Sequence, residues 1–456
     1  MRDLVLLAFI GAILLLGFKR PFIWVLLYIY VDIVSPQLIG WGIITSLQLS
    51  LITFLAAFAG YVVLDSKEGS RFTLRQALIV ALLAWCGYTT LGAVFQDSAW
   101  EKWDWVWKSM FFAAFLPLTL RTRLRLESAV LVFALAIGAI AINGGIKTVF
   151  GGGGYGTLTL LVDDNAGIYE GSIISTAAIA TIPLILFLAR RGTVFPPSKA
   201  VWLFSAALIF SCLLIPIGTS ARTGLVCIAV LGLVLMRQVR HRFLFAGLAS
   251  VAMLVALPFL PQTFVERMGT ITGFRSDESA STRLEVWKWT YHYALANPKG
   301  GGFDAYRGNS FTYQLPEVTG EGNNRRITYT EVTDEARAYH SSYFEMLGEQ
   351  GWLGLGLWLL LHGLGLWQME RIRWRERAKH ADRDVWFHDL ATALQHAQII
   401  FLVGAAFVGI AYQSFMFLLI AMQCALWSQW RMRRKPFRPS EVAERLAGRN
   451  KQAAPA

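Results

Sequence analysis

Long apolar runs separated by short polar loops dominate the chain. The runs are continuous rather than alternating, which favours helices over strands, and a membrane-spanning helix needs about 20 residues. The runs lie at about 3–17, 20–36, 42–64, 76–96, 104–120, 127–146, 171–190, 199–217, 222–237, 243–260, 342–368 and 397–428. The last is long enough for two short crossings that fold back near Tyr412. We predict an all-α polytopic integral membrane protein with about 12 transmembrane helices and a long external loop between the last helices.

Basic residues cluster in every second loop between the apolar runs. Positively charged loops are retained in the cytoplasm, so these loops are predicted to face it. They contain Lys19-Arg20, Lys67/Arg71/Arg75, Arg121/Arg123/Arg125, Arg190-Arg191, Arg237/Arg240/His241/Arg242 and the run from Arg371 to Arg383. The alternate loops, at 97–103, 147–170, 217–221 and 261–341, are then predicted to lie outside.

Five segments follow from this pattern. The N-terminal membrane helices occupy 1–146, and central helices with an Arg222 motif occupy 147–260. Residues 261–341 form an external, periplasmic loop domain, which is too long to be a mere connector. The C-terminal membrane helices occupy 342–430, and 431–456 is predicted to be a disordered, basic cytoplasmic tail. Within the external loop, an amphipathic helix is predicted from about Ser281 to Asn297.

Composition narrows the class of protein further. The chain has 456 residues, of which 55% are hydrophobic and only 16% charged, and its formal net charge is +12. The basic residues lie in short loops beside apolar runs, which is the charge pattern of a membrane protein. We therefore predict that the chain binds the lipid bilayer and not a nucleic acid. The four cysteines all lie inside apolar segments, so neither a metal site nor a disulfide framework is predicted.

The clearest candidate site is the boundary between the long polar loop and the apolar run that follows it. His340 lies there beside Ser341 and Tyr343, and Arg337 precedes it. An imidazole with an ordinary pKa near 6.5 can take a proton from an acceptor hydroxyl, so His340 is a candidate general base. The residues alone leave a structural role open.

Two arginines are candidates for binding phosphate. Arg222 starts an apolar helix at an external edge, flanked by Ser220 and Thr223, and helix N-terminal amides, hydroxyls and a guanidinium together suit a phosphate. The alternative is an arginine that anchors a helix end. Arg283 lies near the start of the amphipathic loop helix, where its forked guanidinium suits a pyrophosphate. The alternative for Arg283 is a solvated, paired charge.

Carboxylates form two further pairs. Asp163 and Asp164 fit a role as a base or as metal ligands. The alternative is that they lie in a solvated loop or cap a helix. Glu345 and Glu349 share one helix face at four-residue spacing, which favours a structural role in a pair with Arg337.

Together these pieces resemble the O-antigen ligase and polymerase superfamily, and most closely the O-glycosylation ligases of exosortase A-associated systems. The resemblance covers about residues 1–368 and departs from the family at Ala221, where relatives usually place serine. It rests on Ser35-Pro36 to Gly42, Ala99 to Asp104, Gly151 to Gly156, Asp163 to Ala166, Ser220 to Gly224, Arg283-x-x-x-Trp287, Asn297-Pro298 to Phe303 and His340 to Gly354.

The resemblance implies a glycosyltransferase at the periplasmic face of the bacterial inner membrane. Its donor is a glycan on undecaprenyl pyrophosphate, held by Arg222 and Arg283, and His340 activates a hydroxyl on a protein, lipid or glycan acceptor. The ligase branch implies no metal and no cofactor. A polymerase of lipid-linked repeat units stays open, as does a transporter or flippase of such lipids. A transporter is expected to have repeated halves with broken helices near the middle of the membrane. The sequence shows no such symmetry, which counts against the transporter.

Overall fold

The computed structural model describes residues 2–40, 42–150, 167–237, 247, 278–319, 326–377 and 385–434. Helices are the main element of this part of the chain. The helices of the first half are α1 (Arg2–Lys19), α2 (Phe22–Val34), α3 (Leu49–Ala59), α4 (Leu74–Leu91), α5 (Gln96–Thr119), α6 (Arg123–Phe150), α7 (Gly171–Arg191), α8 (Lys199–Gly218) and α9 (Arg222–Met236). Those of the second half are α10 (Glu278–Ala296), α11 (Ser342–Glu376), α12 (Trp386–Gly404) and α13 (Ser414–Arg434).

The helices pack side by side around one large apolar core, which includes Tyr28, Ile137 and Trp358. In the described residues, α4, α6, α7 and α8 are long and apolar enough to cross a membrane, and a count of about 12 spans is not confirmed. These apolar helices support a multi-pass membrane protein. The predicted run at 243–260 lies outside the described residues, apart from Gly247.

The basic loops contact one another at one end of the bundle. Arg121 and Arg125 both bind Asp65, at 2.8 and 2.5 Å. The backbone N–H of Arg71 donates to Ser428 Oγ, 3.0 Å away, near the end of α13. The segments 65–71 and 121–125 and the end of α13 are therefore neighbours in the fold.

The last apolar run forms two helices rather than one. The chain breaks at 405–413, around the predicted fold-back at Tyr412. The first of the two helices, α12, begins at Trp386, before the predicted 397. The second, α13, continues to Arg434, so the first four residues of the predicted 431–456 tail are helical. The remainder of that tail lies outside the described residues.

The described part of the polar segment 261–341 contains the predicted helix and a pair of strands that the sequence did not predict. Helix α10 spans Glu278–Ala296, close to the predicted Ser281–Asn297. Strands β1 (Ser310–Thr319) and β2 (Arg326–Glu335) then form an antiparallel hairpin. In β1, Phe311, Tyr313 and Leu315 alternate with polar residues, a strand signal that the sequence prediction did not use, and the all-α description needs this correction.

Helix α11 is broken at Gly351, which has a φ of 65°. The break leaves the carbonyls of Gly348 and Glu349 without partners inside the helix. The backbone N–H groups of Gly301 and Gly302 donate to these two carbonyls, each at 2.9 Å. The glycine turn after α10 is thereby bonded into the start of α11.

Replacing Gly351 with alanine should destabilise the protein strongly. A Cβ atom there would overlap the Pro298 carbonyl, and the positive φ disfavours every L side chain. We expect a loss of roughly 1–3 kcal/mol or more, seen as a lower thermal unfolding midpoint in detergent. Gly356→Ala is the matched control, because nothing lies within 4 Å of the Cβ built at Gly356. Equal midpoints for the two variants would contradict the proposed role of the break.

Candidate functional site

A pocket of about 470 Å³ lies where the external loop meets the membrane helices. Its size is that of a small-molecule or substrate site. Helices α5, α7, α10 and α11, the stretch before α11 and the 405–413 loop all contribute to it. It is lined by Lys102, Glu170, Ser172, Ile173, Thr282, Arg283, Tyr306, Arg337, Ala338, Tyr339, His340, Glu345, Glu349, Phe407, Val408 and Gly409.

The spacing Arg283-x-x-x-Trp287 has a direct structural reason. Residues four apart lie on the same face of a helix. Trp287 Nε1 donates to the Tyr339 carbonyl at 2.9 Å, and its ring stacks on Phe344 with centroids 5.0 Å apart. Because the indole fixes α10 against the stretch that carries His340, Arg283 and His340 line the same pocket.

The β hairpin holds the other side of this stretch. Asn309, just before β1, exchanges two hydrogen bonds with the backbone of Arg337: its side chain donates to the carbonyl at 2.7 Å and accepts from the N–H at 2.9 Å. Ala336 and His340 have left-handed φ values of 52° and 48°. Such conformations cost free energy in non-glycine residues and concentrate at functional sites.

His340 is a neutral imidazole in this setting. Burial lowers its pKa, and the guanidinium groups of Arg283 and Arg337 lower it further, to about 4. The ring is therefore unprotonated near pH 7 and free to accept a proton, although its basicity is low. An anion bound to the two arginines would offset their charge and raise the pKa of His340.

A buried ion cluster forms the opposite wall of the pocket. Lys102 Nζ lies 2.9 Å from both Glu345 Oε1 and Glu349 Oε1, and 3.7 Å from Asp304 Oδ1. The Asp304 backbone N–H donates to Glu349 Oε1 at 3.0 Å, and the Ala411 N–H donates to Glu345 Oε2 at 3.0 Å. The cluster therefore connects α5 and α11 to the external loop and to the 405–413 loop.

The expected pairing of Glu345 and Glu349 with Arg337 is wrong. Arg337 Nη1 lies 3.6 Å from Asp334, and the two glutamates bind Lys102 instead. Lys102 was not among the site residues predicted from the sequence. A signal was present, because two carboxylates on one face of a helix entering the membrane require a nearby cation.

Arg222 is not among the residues that line this pocket. As predicted, it begins helix α9, and the preceding Ser220 has a left-handed φ of 49°. Thr219 packs against the first turns of α7, with its Oγ1 3.0 Å from Ser175 Oγ. Since Ser172 of α7 lines the pocket, the Arg222 turn borders a helix of the pocket wall.

The other residues that were predicted to support the site and that the structure describes do not line this pocket, apart from Arg337. Tyr343 Oη donates to the Leu402 carbonyl at 3.1 Å, which ties α11 to α12. Ser341 precedes α11 and is buried, as is Thr223 in α9. Asp163 and Asp164 lie outside the described residues. Of the predicted site residues that the structure describes, Arg283, Arg337 and His340 line the pocket.

The two walls differ in chemistry. Two guanidinium groups beside a neutral imidazole suit a phosphate or pyrophosphate, and they can stabilise negative charge that develops on a leaving group. The carboxylate wall with Tyr306 and Tyr339 offers hydrogen-bond acceptors and hydroxyls to a polar group. The pocket therefore contains groups that can bind an anion, groups that can bind a hydroxyl, and a neutral imidazole that can act as a base.

Comparison with known families divides the chain into two parts. Residues 204–359 match the O-antigen ligase family (Wzy_C), and residues 1–193 match a family of unknown function (DUF5935). No curated protein shows a significant match to the chain. The O-antigen ligase match supports the O-antigen ligase/polymerase superfamily, and it suggests a membrane glycan ligase or polymerase with glycosyltransferase-like activity.

Proposed function

We propose that the protein transfers a glycan from undecaprenyl pyrophosphate to a hydroxyl acceptor at the periplasmic face of the bacterial inner membrane. The single observation that carries this proposal is the pocket in which Arg283, Arg337 and His340 meet. The O-antigen ligase match, which includes all three residues, agrees with it. The acceptor in an exosortase-associated system would be a protein or an exopolysaccharide.

The reaction follows from the positions of these groups. Arg283 and Arg337 bind the donor pyrophosphate, and His340 accepts the proton of the acceptor hydroxyl. The hydroxyl oxygen forms a bond to the anomeric carbon as the bond from that carbon to the pyrophosphate oxygen breaks. The arginines then neutralise the charge on the leaving undecaprenyl pyrophosphate. Every step uses side chains of this chain, and neither a metal nor a cofactor is required.

Arg222 extends the donor site in this proposal. It begins a helix and is followed by Thr223, so a phosphate there would meet N-terminal amides and a guanidinium. The turn before it packs on α7, whose Ser172 lines the pocket. A pyrophosphate at Arg283 would lead its lipid past α7 towards Arg222 and the bilayer.

The product of a reconstituted reaction tests this function. The protein in lipid nanodiscs would receive an undecaprenyl-pyrophosphate-linked glycan and a hydroxyl-bearing acceptor, and the products would be separated by mass. We expect one glycan on a non-lipid acceptor and free undecaprenyl pyrophosphate. A ladder on the lipid would identify a polymerase instead. Movement of intact lipid across a bilayer, with no new covalent product, would identify a transporter and overturn the proposal.

A further inference from the structure

A second polar pocket, of about 460 Å³, lies beside the first. Three segments of the N-terminal half form most of it: the end of α2 with the turn after it, the middle of α5, and the segment 167–169. Gln413 to Phe415, at the start of α13, complete it. The transfer chemistry proposed above uses none of these residues.

Two unfilled acceptor atoms give this pocket its chemical character. Asp32 Oδ1 accepts a hydrogen bond from the Tyr28 hydroxyl at 3.3 Å, and its buried Oδ2 has no donor within hydrogen-bond geometry among the described residues. The hydroxyls of Ser109 and Ser414 bond to each other at 2.6 Å and also interact with the Asp32 carboxylate. The buried Gln37 Oε1 also has no donor in the described part of the chain. A ligand rich in O–H groups would satisfy both acceptors.

Aromatic side chains also line this second pocket. Trp105 and Tyr169 line the pocket, and the Trp105 side chain is 39% exposed. A flat aromatic face packs well against the C–H face of a sugar ring, while carboxylate and amide oxygens accept from the ring hydroxyls. Lys108 is paired with Asp104 at 2.8 Å, so the cation of this pocket already has its counter-charge. The lining therefore suits a sugar better than a phosphate.

The two pockets share three structural walls. Helix α5 carries Lys102 in the first pocket and Trp105 in the second. Tyr169 and Glu170 are adjacent in the chain but line the second and first pockets, respectively. The 405–413 loop lines the first pocket through Gly409 and leads directly into the second. The two pockets are therefore formed by adjacent residues of the same elements.

The two pockets draw on the two family matches to different extents, and the first pocket also takes Lys102, Glu170, Ser172 and Ile173 from residues 1–193. The first pocket takes Arg283, Arg337 and His340 from the segment that matches the O-antigen ligase family. The second takes Asp32, Trp105 and most of its other residues from 1–193, the segment that matches a family of unknown function. The N-terminal segment thus has a binding surface of its own next to the transfer centre.

We propose that this second pocket is a carbohydrate subsite that holds a sugar ring next to the transfer centre. The inference rests on the proposed function, because the sugar belongs either to the acceptor or to the glycan of the donor. Asp32 and Gln37 accept hydrogen bonds from the ring hydroxyls, and Trp105 covers the apolar face of the ring.

Sugar binding can be measured without any transfer reaction. Saturation-transfer NMR would be recorded on the protein in nanodiscs with glucose, galactose and N-acetylglucosamine as probes. We expect saturation of at least one of these sugars by the wild-type protein and a loss of several-fold in Trp105→Ala and Asp32→Asn. Trp100→Ala is the matched control: Trp100 lies on the same helix, is 47% exposed and lines neither pocket. We expect His340→Asn to bind the sugar normally.

Two results would overturn the subsite. One is the absence of saturation for all three sugars in the wild-type protein, and the other is equal binding by Trp105→Ala and Trp100→Ala. A failure of glycan transfer alone would leave these binding results intact and would count against the proposed function instead. If transfer is observed, an increase of several-fold in acceptor KM for Trp105→Ala assigns the sugar to the acceptor. An increase in donor KM assigns it to the donor glycan.

Discussion

Replacing His340 with asparagine is expected to slow glycan transfer by about 10²–10⁴-fold, because the acceptor hydroxyl loses its general base. Asparagine tolerates the left-handed backbone that His340 adopts at a φ of 48°, so the loop should keep its shape. Donor binding should change little, since Arg283 and Arg337 remain in place. The measurements are the initial rate of transfer and the affinity for the lipid pyrophosphate in detergent or nanodiscs.

His292→Asn is the control for this substitution. His292 lies on α10 in the same external loop, but it is exposed and its Nδ1 contacts the Lys288 carbonyl at 2.8 Å. We expect this variant to transfer glycan at the wild-type rate. If His340→Asn also retained a rate within a few-fold of wild type, His340 would not be the base. If both donor affinity and rate fell together, its role would be binding rather than proton transfer.

Replacing Lys102 with methionine is expected to destabilise the protein by about 3–5 kcal/mol, because it leaves a buried group of carboxylates without their cation. Glu349 has no exposed side-chain surface, and the Lys102 side chain is only 14% exposed. The loss should appear as a lower unfolding midpoint in detergent. Transfer should fall as well, because the cluster joins α5 and α11 to Asp304 of the loop that forms the pocket.

Lys108→Met provides the matched comparison. Lys108 lies on the same helix and is also 14% exposed, but its partner Asp104 is 70% exposed and stays solvated when the lysine is lost. Its effect on stability should be below about 1 kcal/mol. Adding Glu349→Gln to Lys102→Met should recover part of the lost stability, because one buried charge is removed. Equal destabilisation by the two lysine variants would show that the cluster does not hold the fold together.

Local features of the sequence predicted local features of the structure. Helix α10 lies within a few residues of its predicted limits, because Asn297 and Pro298 end a helix wherever it packs. The grouping of all basic loops on one side of the membrane stays a prediction, and the structure shows contacts between the segments at Asp65 and at Arg121 and Arg125. The hairpin formed by β1 and β2 was missed although Phe311, Tyr313 and Leu315 alternate with polar residues, because the segment was judged by its overall polarity.

The composition of the site depended on contacts between distant parts of the chain. The order of residues suggested Arg283 and His340 as partners, but the Trp287–Tyr339 hydrogen bond across 52 residues brings them to one wall. Lys102 reaches Glu345 and Glu349 across 243 and 247 residues, a distance over which no periodicity or spacing rule applies. The second pocket, with Asp32 at its centre, is likewise assembled from separate segments.

The sequence by itself determined that this is a helical membrane protein with a long polar segment, and that a histidine lies where this segment meets the apolar run that follows it. These properties depend on hydropathy and charge over short windows, which act before the chain folds. Only the tertiary structure decided which cation faces which carboxylate and which arginines stand beside His340. The reason is physical: a buried charge selects its partner by distance in the fold, and that distance is set by helix packing rather than by position along the chain.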